Sequence, residues 1–67
     1  MIYIVISIES GIVERVAVCA TSKDARKEAR AQAKIYNQPD YCTVAIAKVG
    51  GTMGGSPIEA VAIETVV

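Results

Sequence analysis

The residues of this chain that could do chemistry form three groups, and none has the makings of a catalytic centre. The first is Gly50-Gly51-Thr52-Met53-Gly54-Gly55-Ser56-Pro57, a run with four glycines in eight residues. Successive glycines let backbone N–H groups converge on an anion, and the Thr52 and Ser56 hydroxyls add donors. No lysine follows and no helix pattern begins there, so this is not a Walker loop. The run reads either as a plain hairpin connection or as a loop that closes on a ligand or partner. In the second case its binding residues are Gly50, Gly51, Thr52, Met53, Gly54, Gly55 and Ser56.

The second group is basic. Lys23, Arg26, Lys27, Arg30 and Lys34 recur at three- and four-residue spacing, and they are five of the chain's 7 basic residues. On an ideal helix they fall within an arc of about 100°. Such an arc can attract nucleic acid, a nucleotide or an acidic protein. It is also what the solvated face of an amphipathic helix looks like, with Asp24 and Glu28 beside it. No aromatic residue interleaves the arc as a stacking platform, which argues against nucleic acid. The third group is the 3 tyrosines. Tyr36 and Tyr41 flank the turn Asn37-Gln38-Pro39-Asp40, and Tyr3 lies near the start of the chain. Each suits a core rim whose hydroxyl reaches water, or an anchor for a base or partner.

Catalysis and metal binding find no purchase in these residues. Histidine is absent, so the usual general base is missing. Glu9, Glu14, Glu59 and Glu64 are scattered over strands and turns. The 2 cysteines, Cys19 and Cys42, form no paired ligand spacing and no nucleophile motif. Each sits in an apolar run where cysteine behaves as a small hydrophobe. No secretory signal precedes them, so both read as reduced thiols of a cytoplasmic protein, in the host cytoplasm if the chain is viral. The expectation is a non-enzymatic protein with no cofactor and no metal.

Alternating and helical periodicity place these groups on five elements. Ile2 to Ile8 reads as a strand, Glu9-Ser10-Gly11 as a turn, and Ile12 to Ala20 as its hairpin partner. Thr21 with Asp24 three residues on fits a capping pattern, and an alanine-rich helix follows to Tyr36 or Asn37, before Pro39. Tyr41 to Val49 and Ile58 to Val66 complete a β-β-α-β-β order. This is one α+β domain with a four-stranded, mainly antiparallel sheet and one helix on one face. The spatial order 2-1-3-4 puts the most apolar strand in the centre.

At 67 residues and 52% hydrophobic residues, the domain is too small to be comfortable alone and too apolar for a single buried face. The helix should cover the sheet with Ala25, Ala29, Gln32, Ala33 and Tyr36. Beneath it the pattern places Ile2, Ile4, Ile6, Ile8, Val16, Val18, Val44, Ile46, Val61 and Ile63. The opposite face would then carry Tyr3, Val5, Ala17, Cys19, Thr43, Ala45, Ala47, Ala60 and Ala62, with Arg15 and Glu64 as polar exceptions. An apolar second face marks an interface. A homodimer through Tyr3, Val5, Ala17, Ala45, Ala47, Ala60 and Ala62, or through an edge strand, is therefore expected; an alanine-rich surface on a monomer is the plainer reading. The run Met1 to Ile8 is far too short to span a bilayer, and the net charge of +0 gives no overall pull toward membrane or nucleic acid.

Between Gly11 and Ala29, a glycine turn leads into Ile12-Val13-Glu14-Arg15-Val16, and Thr21-Ser22-Lys23-Asp24-Ala25 then opens an alanine-rich helix. This layout resembles small α+β proteins of phages and mobile elements, including anti-CRISPR inhibitors and other counter-defence proteins. The resemblance covers about a third of the chain and transfers no site residue. It implies a non-catalytic inhibitor or sequestering protein. The expected function is thus a protein-interaction or inhibitor module acting as a homo-oligomer. The alternative is capture of a small anionic or nucleotide-derived ligand by the loop and the basic helix face, with nucleic-acid binding the weakest reading.

Overall fold

The computed structural model describes residues 2–50 and 59–66, and gives the backbone alone for 59–62. The elements are β1 (Ile2–Glu9), β2 (Ile12–Cys19), α1 (Ser22–Ile35), β3 (Cys42–Gly50) and β4 (Glu59–Thr65). The sheet order is β2-β1-β3-β4 and every neighbouring pair is antiparallel. The α+β architecture, the element order and the central place of β1 are as the sequence pattern predicts. Residues 51–57 of the glycine-rich run lie outside the described residues, and Gly50 is the last residue of β3.

Local chemistry explains each boundary. Ser10 and Gly11 both have positive φ, 51° and 79°, which is the twist a two-residue hairpin loop needs to match its strands. The Ser10 N–H also donates to the Tyr41 carbonyl at 2.7 Å, tying the turn to the chain just ahead of β3. Thr21 is extended and accepts from the Asp24 N–H at 3.2 Å, satisfying one of the orphan donors at the start of α1. At the other end, the Tyr36 N–H donates to the Gln32 carbonyl at 2.9 Å. Gln38 then accepts from the N–H groups of Tyr41 and Cys42, closing the turn around Pro39 that leads into β3.

The assignment of the two sheet faces is the reverse of the one expected for β1 and β2, and for β4 as well, where Ile63, expected beneath the helix, pairs with Ala47, and Glu64, expected on the far face, pairs with Ile46. The core under α1 is Val5, Ala25, Ala29, Val44 and Ile46, with Tyr3, Ala17, Cys19, Ala33 and Tyr36 packed around it. Val5 is therefore a core residue of the helix side and Tyr3 and Ala17 pack against that core, so all three lie on the face opposite to the one expected of them. Register carries this across the sheet, because Val5 pairs with Ala17 on one side and with Ile46 on the other. The helix stripe itself is as expected, with Ala25, Ala29 and Gln32 buried.

The physical reason lies in Gln32. A buried side-chain amide must find partners, and the interior of β1 offers one polar side chain, Ser7. The Ser7 hydroxyl donates to Gln32 Oε1, and Gln32 Nε2 donates to Glu28 Oε1 at 3.0 Å. Ser7 and Gln32 are both fully buried. Placing Ser7 under the helix brings Tyr3 and Val5 with it and turns Ile2, Ile4, Ile6 and Ile8 outward.

Candidate functional site: an apolar sheet face and a basic groove

Two surfaces emerge, on opposite sides of the sheet. The face away from α1 is built in rows across the strands. One row is Val18, Ile4, Ala47 and Ile63; the next is Val16, Ile6, Ala45 and Thr65; a third is Val13, Ile8 and Thr43. Ile2 pairs with Val49 beyond them. Val18 is 66% exposed, Ile63 70%, and Val13 and Val16 56% each. Ala45 and Ala47 belong to this face, as expected. Ala60 and Ala62 pair with Val49 and Lys48, and their side chains lie outside the described residues.

None of these rows contains a charge. Arg15 pairs with Ser7, Lys48 with Tyr3, Glu64 with Ile46 and Glu9 with Cys42, so all four share register with the helix side. A register shift between Ser7 and Ile8 completes the separation. Simple alternation would set Glu14 opposite Ile8. The bulge sets Val13 there instead and leaves Glu14 unpaired, so the apolar row continues to the end of the hairpin. Antiparallel sheets with one covered face ordinarily keep their polar residues on the other. Here the arrangement is inverted.

The second surface is a groove between α1 and the helix side of β3 and β4. The helix packs on β1, β2 and β3, leaving β4 beside it rather than beneath it. One lobe of the groove, about 220 Å³, is lined by Tyr3, Ser22, Arg26, Ile46, Lys48, Ile63 and Glu64. The other, about 270 Å³, is lined by Arg26, Arg30, Ile46, Glu64, Thr65 and Val66. The lobes meet at Arg26 and Glu64, which form a two-point ion pair: Nη1 to Oε1 and Nη2 to Oε2, both 3.2 Å. Ile46 is the apolar floor.

The basic arc is therefore divided in use. Arg26 and Arg30 face the groove, whereas Lys23, Lys27 and Lys34 remain on the exposed outer side of α1. Lys48 joins the two arginines from β3, a role that its strand position alone did not signal. Tyr36 packs at the core rim and Tyr41 is exposed. Cys42 and Cys19 pair with Glu9 and Tyr3, at opposite ends of β1. Six residues of strand separate them by about 20 Å, which no disulfide can bridge. Among the described residues no cluster of His, Cys, Asp or Glu could hold a metal ion, and no helix is long and apolar enough to cross a membrane.

No family model, no curated protein and no solved structure matches the chain.

Proposed function

We propose that this chain is a small non-enzymatic interaction module that works as a homodimer, built by packing its charge-free sheet face against the same face of a second copy. The observation that supports this reading is the sorting of charge. Every charged strand residue with a described side chain is either in register with the helix side or displaced by the bulge, and the far-face rows are valine, isoleucine, alanine and threonine. Depletion of charge at an apolar centre is what distinguishes homodimer interfaces from ordinary surface.

Size supports the same reading. Four strands about 4.8 Å apart and about seven residues long give a footprint of roughly 450 Å² in projection. A corrugated side-chain surface carries more accessible area than its projection, so the face comes within reach of the roughly 800 Å² per partner of a standard interface. The helix-side core contains nothing larger than isoleucine among its buried hydrophobics, and a domain of this length gains most from a second layer. A second copy supplies that layer with matched chemistry, because a two-fold axis sets each patch against itself.

Sedimentation velocity between about 1 and 50 μM tests the reading. A dimer mass is expected, and Val16→Lys with Val18→Lys should reduce it to a monomer without loss of secondary structure. A wild-type monomer across that range overturns the self-association. In that case the face remains a surface for an unlike protein, the inhibitor reading, and a stoichiometric partner captured from the native host would support it. In either assembly the basic outer side of α1 stays free for an acidic partner.

A further inference from the structure

We propose that the groove between α1 and β4 is a binding site for a small organic phosphate, with Arg26, Arg30 and Lys48 as its cations. Those three basic residues line the two adjoining lobes, in which Glu64 supplies the one carboxylate among the described residues. Three positive charges against that one negative leave the described lining with a surplus of two. A phosphate monoester carries about −1.5 to −2 at neutral pH, so it neutralises the groove where a monocarboxylate would not.

The donors suit the same ligand. A guanidinium offers a planar fork that matches phosphate oxygens in pairs. In the structure the Arg26 fork is occupied by the two oxygens of Glu64. That pair is half exposed on both sides, 53% and 53%, so it contributes little to stability. Glu64 thus competes only weakly for the Arg26 donors and gives them up to an anion at small cost. Lys48 is half-buried and lines the same lobe as Arg26, Tyr3 and Ser22. The apolar floor at Ile46 and the ring of Tyr3 offer a seat for the organic part. The cations of this site lie on the helix side of the sheet, and Ile63 is the one lining residue that it shares with the far-face rows. A dimer would carry two such grooves pointing away from each other.

The test is titration of the ¹⁵N-labelled full chain with inorganic phosphate, pyrophosphate, adenosine monophosphate and citrate, followed by amide shifts. Saturable shifts at Tyr3, Ser22, Arg26 and Lys48 with the phosphate probes are expected. Lys48→Gln and Arg30→Gln should each weaken the affinity about tenfold, the value of one charge-assisted contact. Glu64→Gln should strengthen it, since Arg26 is then released without competition. Dispersed spectra of the three variants show that each remains folded. The proposal is overturned if no phosphate probe shifts these amides up to 10-fold above the concentration expected for a millimolar site, roughly 10 mM. Citrate binding as tightly as the nucleotide, or affinity indifferent to Lys48 and Arg30, overturns it equally.

Discussion

At the scale of single residues, the buried pair Ser7 and Gln32 decides how the domain is assembled. Both are fully buried and each depends on the other. Removing one partner leaves the other unsatisfied in the core, so Ser7→Ala should cost about 1–3 kcal/mol in urea unfolding. Combining it with Gln32→Leu should cost less than the two changes added, because each single leaves the other partner orphaned and the double leaves neither. The hairpin turn gives a contrasting case. A Cβ at Gly11 would meet nothing within 4 Å, yet its φ is +79°. Gly11→Ala should therefore destabilise by about 1 kcal/mol through backbone conformation alone. Ser10, at φ 51°, occupies a position that asparagine fills more readily, and Ser10→Asn should raise stability by about 0.5 kcal/mol. The Gln32 requirement was legible in the sequence. A glutamine in the inward stripe of a helix asks for a polar strand partner, and the position of Ser7 in β1 then fixes the face. Counting isoleucines pointed the other way, because bulk alone does not say which apolar face a small-residue helix will cover.

At the scale of elements, α1 combines a legible start with a constrained contact. Its alanines at 25 and 29 are fully buried, so the helix backbone lies close to Val5, Val44 and Ile46. Ala29→Leu should cost about 1–3 kcal/mol by overpacking, read as a lower thermal midpoint with unchanged helical content. Thr21→Ala removes the oxygen that accepts from Asp24 and should cost about 1 kcal/mol. The strand order and the cap could be read from periodicity and from the Thr21–Asp24 spacing. The bulge at Glu14 left a trace there too, since Ile12-Val13-Glu14-Arg15-Val16 breaks strict alternation with two apolar and then two charged residues in succession. The groove was hidden. It depends on the pairing of Ile46 with Glu64, which sets a β4 carboxylate within reach of Arg26. The sequence supplied the basic arc, and only the sheet register showed which two of its members face a partner strand.

At the scale of the whole molecule, the sheet separates two kinds of chemistry. Charge gathers on the side that the helix only partly covers, and hydrocarbon on the side that no helix among the described residues covers. If a second copy supplies the missing layer, stability becomes a function of concentration. The thermal midpoint of the wild-type chain should then rise with dilution reversed, from micromolar to hundreds of micromolar, and that of the Val16→Lys, Val18→Lys variant should not. Scanning calorimetry at three concentrations reads this directly. The central position of β1 also has a consequence in time. Its hairpin with β2 closes through two residues, but its other edge waits for β3, which begins at Cys42. At 5–20 residues per second, a ribosome takes about 1–4 seconds to make the segment between the end of β2 and the start of β3. Through that interval the isoleucine strand has one open edge and both faces bare, so the nascent hairpin is the stage at which a chaperone would have most to hold.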